Sequence, residues 1–224
     1  MKIMLDAGHG YQTPGKRTPD GMREYEFNRA VASEAKSLLD KYAEVTVYFA
    51  HSDREDIPLR RRTDQANALK ADVYISIHAN AFGNGSWNDA GGIETFVYAT
   101  KPQESLSLAK RIQTNMTDLT GLIDRGVKTG DFHVLRETKC PAVLVECGFM
   151  TNHLEASLLR SEDYRKLCAK AIVKSIVQHF RLELPETPRN TAIYRVQTGA
   201  FKTKSNAEEL VKRLKAAGFE GTII

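Results

Sequence analysis

The sequence predicts an α/β fold, with a mainly parallel central sheet, helices on both faces and a partial βαβ segment after it. Three observations predict it. Short apolar runs alternate with helical periodicity through the first 181 residues. Three of those runs end on a polar residue, as strands do when a ligand sits beyond their carboxyl ends. After Phe180 the alternation stops at a stretch with two prolines and no apolar periodicity, Glu183 to Thr191.

The elements follow in order. Lys2–Asp6 reads as a buried strand that ends at Gly8-His9-Gly10. Residues 11–23, rich in Gly, Pro, Thr and Arg, form a long exposed loop. Glu24–Tyr42 is a helix with Phe27, Val31, Ala35, Leu38, Leu39 and Tyr42 on one face. Val45–Phe49 is a strand, and Pro58 suits the first turn of a helix reaching Leu69. Val73–His78 is a strand, 82–92 a Gly/Asn-rich loop, Ile93–Tyr98 a strand and Gln103–Thr120 a helix. Gly121–Asp131 reads as a loop, Phe132–Leu135 as a short strand and Ala142–Glu146 as a buried one. Glu162–Arg181 is a helix with Leu167, Ala171, Ile172, Ile176 and Phe180 facing in. These assignments divide the chain into a domain at 1–181, a linker at 182–192 and a segment at 193–224. In that segment Ile193–Gln197 alternates like a strand. Ser205 can cap a helix ending near Gly218, and Gly221–Ile224 begins another strand. Its 32 residues are too few to enclose a core of their own.

Composition narrows the function. Hydrophobic residues make up 42% and charged residues 27%, as in ordinary globular proteins. The net charge of +4, with no cluster of Lys/Arg among aromatics, argues against nucleic-acid binding. Arg60-Arg61-Arg62 is the densest basic run and reads as a solvated helix face. Cys140, Cys147 and Cys168 are an odd count without a CxxC, so reduced thiols and synthesis in the cytoplasm are expected. The N-terminus reaches Asp6 too soon for a signal-peptide core of roughly seven apolar residues. No apolar run approaches the roughly 18 residues of a membrane span, so no membrane insertion is expected.

The polar strand ends carry the chemistry. His9, between Gly8 and Gly10, and His78, after Ile75-Ser76-Ile77, sit where core packing gives little reason for histidine. Glu24 opens the first helix near the same edge. Two histidines and a carboxylate suit a catalytic zinc, which leaves one position to water. The alternative is a pair of hydrogen-bonded histidines and an acidic residue of the kind helix N-termini favour. Glu146 ends the run Ala142-Val-Leu-Val-Glu146, where an unpaired carboxylate is costly. It is either a structural salt-bridge partner or a general base beside a metal-bound water. His51, His153 and His179 read as surface residues, while His133 either lines the cleft or is structural. The loops 11–23 and 82–92 should rim the cleft. Their Arg17, Arg23, Asn84 and Trp87 are candidate substrate contacts, set against exposed loop residues with no role.

Four motifs add a resemblance. Leu5-Asp-Ala-Gly-His-Gly10, Glu24, Ala71-Asp-Val-Tyr-Ile-Ser-Ile-His-Ala-Asn80 and Pro141-Ala-Val-Leu-Val-Glu-Cys-Gly-Phe-Met-Thr-Asn152 occur in that order. They resemble the zinc-dependent N-acetylmuramoyl-L-alanine amidases of amidase type 3. The resemblance implies the phosphorylase/hydrolase-like fold of those enzymes and one Zn²⁺ in the domain, bound by His9, Glu24 and His78. It makes Glu146 the catalytic glutamate and peptidoglycan the substrate, cut between N-acetylmuramic acid and L-alanine. Asp6, Asn80 and Asn152 fall on the motifs with supporting roles, and Asn80 and His133 join the candidate substrate contacts.

The tail, Ile193-Tyr-Arg-Val-Gln-Thr-Gly-Ala-Phe201 followed by Ser205-Asn-Ala-Glu208, resembles the start of a SPOR domain, a glycan-binding module about twice as long. Either the tail is cut short or two half-modules pair between chains through an open sheet edge. A leaderless member of this family is expected to reach the wall after lysis or a membrane breach, as a phage or prophage lysin or as a mother-cell autolysin. Three rivals stand beside this reading: a zinc carboxypeptidase, a cysteine enzyme using Cys147, and a wall-binding protein without activity. Carboxypeptidases have their first two ligands close in sequence, whereas His9 and Glu24 are fifteen positions apart.

Overall fold

The computed structural model describes residues 1–13, 15–184 and 196–223. The chain divides into two compact units, Met1–Pro185 and Glu186–Ile224. The first unit contains β1 (Lys2–Ala7), α1 (Glu24–Leu39), β2 (Thr46–Phe49), α2 (Leu59–Leu69), β3 (Val73–Asn80) and β4 (Ile93–Val97). It continues with α3 (Gln103–Thr120), β5 (Asp124–Thr129), α4 (His133–Arg136), β6 (Ala142–Phe149), α5 (His153–Arg160) and α6 (Glu162–Phe180).

The six strands form one sheet in the order β2-β1-β3-β6-β4-β5. All neighbours are parallel except β4 and β6, so β4 and β5 run against the other four. Side chains alternate across a strand, and here alternation separates core from cleft. Ile3, Leu5 and Ala7 of β1, Ile75 and Ile77 of β3, and Val143, Val145 and Cys147 of β6 point to one face. There they pack against Phe27, Val31 and Ala35 of α1, Leu108 and Ile112 of α3, and Cys168, Ile172 and Ile176 of α6. The opposite face begins apolar, with Met4, Tyr74, Ala142 and Leu144 under Ala66 of α2 and Val134 and Leu135 of α4. Further along, the same face carries Asp6, Ser76, His78 and Glu146. The helices over it are short, at 11 residues for α2 and four for α4. Between them and the strand ends lies a cleft of about 650 Å³.

Three elements differ from expectation. Residues 124–129 are a strand, not a loop; Asp124-Arg-Gly-Val-Lys-Thr129 offers only Val127 as an apolar residue and pairs at the sheet edge. Residues 133–136 are a helical turn, not a strand, closed by Leu135 N–H donating to Phe132 O at 3.0 Å. The helix α5 was not anticipated. Asn152 caps it, accepting from the N–H groups of Leu154 and Glu155 at 3.0 and 3.2 Å.

In the second unit α7 (Lys204–Ala216) is the one regular element among the described residues. Ala207, Leu210, Val211 and Leu214 are its half-buried stripe. Thr203 occupies the N-cap, so Ser205 lies in the first turn rather than capping it. The expected strand at 193–197 falls mostly outside the described residues, and Val196 and Gln197 are not in a strand. The linker at 182–192 is irregular at 182–184 and otherwise lies outside the described residues. Residues 221–223 form no strand, and Ile224 lies outside. Among the described residues no helix is long and apolar enough to cross a membrane.

Candidate metal centre

Three side chains converge in the lining of the cleft. β1 runs into Gly8-His9-Gly10, where His9 takes a left-handed backbone with φ of 67°. Glu24 is the first residue of α1 and is only 1% exposed. Its Oε2 lies 3.2 Å from His9 Nε2, and its Oε1 lies 2.8 Å from His78 Nδ1. One donor atom from each residue falls within 4.8 Å of the others. Gly8 permits the approach: a Cβ there would lie 2.1 Å from His78 Cε1.

Glu24 does not make the capping bond of its helix. Glu26 accepts the Arg23 N–H at 3.1 Å and so does the N-terminal capping. The Glu24 carboxylate accepts from Lys16 N at 2.8 Å and from Ala79 N and Asn28 Nδ2 at 3.2 Å each. Burial resists its charge, but hydrogen bonds from His78 and His9 outweigh burial and hold its pKa well below the carboxylate range. Burial likewise opposes protonation of His78, yet the Glu24 hydrogen bond and charge raise it to about 9. His78 Nε2 lies 3.1 Å from Ser76 Oγ, the second partner that orients a ligating imidazole. Two imidazole nitrogens and a carboxylate oxygen, held by backbone donors and a serine, fit a catalytic zinc.

Glu146 stands beside this set. It is the register partner of His78 across β3 and β6, and of Glu94 across β4 and β6. Its buried Oε2 has no hydrogen-bond partner among the described residues. Burial raises its pKa to about 8; Glu24 and Glu94 push the same way and His78 opposes them. A salt bridge, the structural alternative for this residue, is absent among the described residues. The Cys147 thiol is fully buried on the opposite face among α6 side chains, and burial beside Cys168 raises its pKa. It presents no thiolate to the cleft, which removes the cysteine-enzyme reading.

Asn80 and His133 also line the cleft. Asn80 Nδ2 donates to Glu94 at 2.6 Å, and His133 Nε2 lies 3.3 Å from Thr63 Oγ1. Arg17, Arg23, Asn84 and Trp87 lie outside the lining. Arg17 and Arg23 form a backbone bridge, and the Arg23 guanidinium donates to Tyr11 O at 2.6 Å. Asn84 accepts from Ser86 N–H, and Trp87 stacks on His153 with centroids 3.9 Å apart. Lys16 and Asp56 line the cleft instead.

Two residues overturn expectation and one was missed. Arg60 and Arg61 are exposed, but Arg62 is 2% exposed and paired with Asp6 at 2.7 Å. Burial opposes the Asp6 charge, but Arg62 and His78 lower its pKa, and Ser76 Oγ donates to it at 2.9 Å. His51 is half-buried, its Nδ1 accepting from Ala7 N–H at 3.0 Å, so it is not a surface residue. Glu94 is the missed one. It is 4% exposed and held by Arg125 Nε at 2.8 Å, by Lys128 Nζ and by Asn80. A glutamate inside Ile93-Glu-Thr-Phe-Val97 carries the same signal that marked Glu146.

Comparisons with known proteins identify the family. The family model for N-acetylmuramoyl-L-alanine amidase (amidase type 3) matches residues 3–178, and that for the SPOR domain matches 165–224. The second match begins inside α6 of the first unit. Among curated relatives, the N-acetylmuramoyl-L-alanine amidase CwlM of Bacillus licheniformis is 32% identical over all of this chain and 85% of its own length. A sporulation-specific N-acetylmuramoyl-L-alanine amidase of Bacillus subtilis is 31% identical over all of this chain and 84% of its own. The endolysin of Bacillus phage SPP1 is 32% identical over 81% of this chain and 66% of its own. Among solved structures, the catalytic domain of CwlV, an amidase from Bacillus (Paenibacillus) polymyxa, superposes with a TM-score of 0.75 and 33% identity. That match covers 81% of this chain and 99% of CwlV's domain. The chain belongs to the N-acetylmuramoyl-L-alanine amidase family and is a hydrolase of the cell wall.

Proposed function

We propose that this protein hydrolyses the amide between N-acetylmuramic acid and L-alanine in peptidoglycan, with one zinc held by His9, Glu24 and His78. The observation that carries the reading is the unpartnered Glu146 Oε2, set beside three converging donor atoms. Zinc, when bound, supplies Lewis-acid polarisation at neutral pH. Glu146 takes a proton from the attacking water as the water oxygen bonds to the carbonyl carbon. It returns that proton to the nitrogen as the C–N bond breaks, leaving a lactyl carboxylate and a free alanine amine. Ser76 and the Ala79 and Lys16 amides keep His78 and Glu24 oriented. Asn80 and His133 lie where substrate enters, and we carry Arg17, Arg23, Asn84 and Trp87 as outer contacts.

The test is product analysis on purified wall. New N-terminal alanine with intact sugar, abolished by a chelator and restored by zinc, supports the reading. Released C-terminal amino acids point to a carboxypeptidase, and binding without any product points to a wall-binding protein.

The biological setting we propose is lysis from within by a phage or prophage lysin, supported by similarity to the SPP1 endolysin. A second reading, a mother-cell autolysin, is favoured by one observation: two relatives that align along the entire chain are bacterial amidases, one of them sporulation-specific. Induction of the transcript by DNA damage supports the first, and induction during sporulation the second. We further propose a catalytic domain at 1–181, a linker at 182–192 and a wall-binding segment at 193–224 whose copies pair between chains.

A further inference from the structure

The segment 56–62 grips the chain that carries His9. His9 is a non-glycine residue with φ of 67°, a conformation that persists only when its surroundings over-determine it. The surroundings are specific. Arg62 Nη2 donates to the His9 carbonyl, and Nη1 donates to Ala7 O at 2.7 Å and Asp6 Oδ1 at 2.7 Å. Its Nε is fixed on Ile57 O at 2.8 Å. One planar guanidinium therefore holds the carbonyls on both sides of Gly8. Three residues along, the Asp56 carboxylate accepts from Gln12 N–H at 3.0 Å and from Thr13 Oγ1. Asp56 also lies against Gly10, where a Cβ would meet its Oδ1 at 2.1 Å.

We propose that Arg62 and Asp56 are positioning residues that lock residues 7–13 so that the His9 imidazole points at Glu24 and His78 before a metal arrives. The inference rests on the zinc reading above. The backbone direction at residue 9 sets where its side chain projects, and two anchors fix that direction. Lysine cannot replace the fork, because an ammonium cannot hold two divergent carbonyls and a carboxylate in one plane.

The test uses the full chain as wild type, R62K, D56A and, as a control from the same loop, D53A. Asp53 bonds to Tyr25 and Arg29 and, among the described residues, makes no hydrogen bond to Arg62, Asp56 or residues 7–13. Zinc affinity is measured by competition with a fluorescent chelator. The melting temperature is read with zinc and with EDTA. R62K is expected to weaken zinc binding about tenfold or more, as loss of groups that orient a ligand does. D56A is expected to weaken it less, and D53A not at all. The zinc-induced rise in melting temperature should shrink in R62K and D56A. A merely structural role would lower the zinc and EDTA values together and leave their difference unchanged. Tight zinc binding by the wild type with unaltered affinity in both variants overturns the clamp alone. A wild type that binds no zinc overturns the metal reading and the clamp with it. Asp56 is only half-buried, so D56A decides the matter alone if R62K does not fold, and unchanged affinity in D56A then overturns the clamp.

Discussion

At the scale of a single side chain, Glu146 has the surroundings that the proposed proton transfer needs. Its Oε2 is buried and has no hydrogen-bond partner among the described residues, so no neighbouring group there holds that oxygen. Glu146→Gln should keep zinc and lose about a hundredfold or more of kcat. His9→Ala or His78→Ala should lose the metal as well, read by metal analysis after gel filtration. Cys147→Ser should leave turnover unchanged. The same groups set a pH signature in EDTA-treated protein. His78 is raised from 6.5 to about 9, and Glu146 from 4.5 to about 8. Both hold protons in the folded chain that the unfolded chain has released, so stability falls as pH rises. The His78 contribution is full below about 6.5 and is lost through about 9. Glu24, held low, contributes throughout that window. Urea midpoints in EDTA should therefore decrease from pH 6.5 to 9, and a flat profile would count against the pairing. His9, His78 and Glu146 were legible as candidates because each is polar at the end of an apolar strand; Glu24 was legible through the order of the motifs, since an acidic residue opening a helix is ordinary. Arg62 was not, since a run of three arginines reads as solvated. Only its place one turn before Ala66, which packs beneath the sheet, betrays it.

At the scale of elements, what was legible depended on apolar content. β1, β3 and β6 are buried strands and announced themselves. β5 did not, because an edge strand contributes backbone hydrogen bonds and here uses Arg125 and Lys128 to hold Glu94. α5 had a readable start, an Asn152 followed three residues later by Glu155, but Glu155 works elsewhere. Its carboxylate accepts from Gly92 N–H at 2.7 Å and Phe149 N–H at 2.6 Å, tying the 82–92 loop to the end of β6. Asn152 serves α5 as its cap. Asn152→Ala should cost about 1 kcal/mol of stability in urea denaturation, with kcat/KM unchanged.

At the scale of the molecule, the proposed division of labour predicts separable properties. A fragment of residues 1–184 keeps every residue of the cleft. It should cleave a soluble muropeptide with unchanged kcat/KM while losing co-sedimentation with intact wall. Retained co-sedimentation would remove the tail from the binding account. Pairing between tails predicts a dimer in light scattering of the full chain and a monomer for the fragment. A monodisperse monomer of the full chain at high concentration would sink the pairing.

The alternation along β1, β3 and β6 has a bearing on how the sheet finds its register. Asp6, Ser76, His78 and Glu146 share a face with the cleft, while their sequence neighbours Leu5, Ile75, Ile77, Val145 and Cys147 face the helices. Slipping any of these strands by one residue would exchange the two sets and drive charges into the apolar layer. These polar groups thus act as spelling marks during assembly, rejecting a misread pairing by its cost. An inactive variant for binding work should therefore be Glu146→Gln, which keeps the mark, and not Glu146→Leu, which erases it.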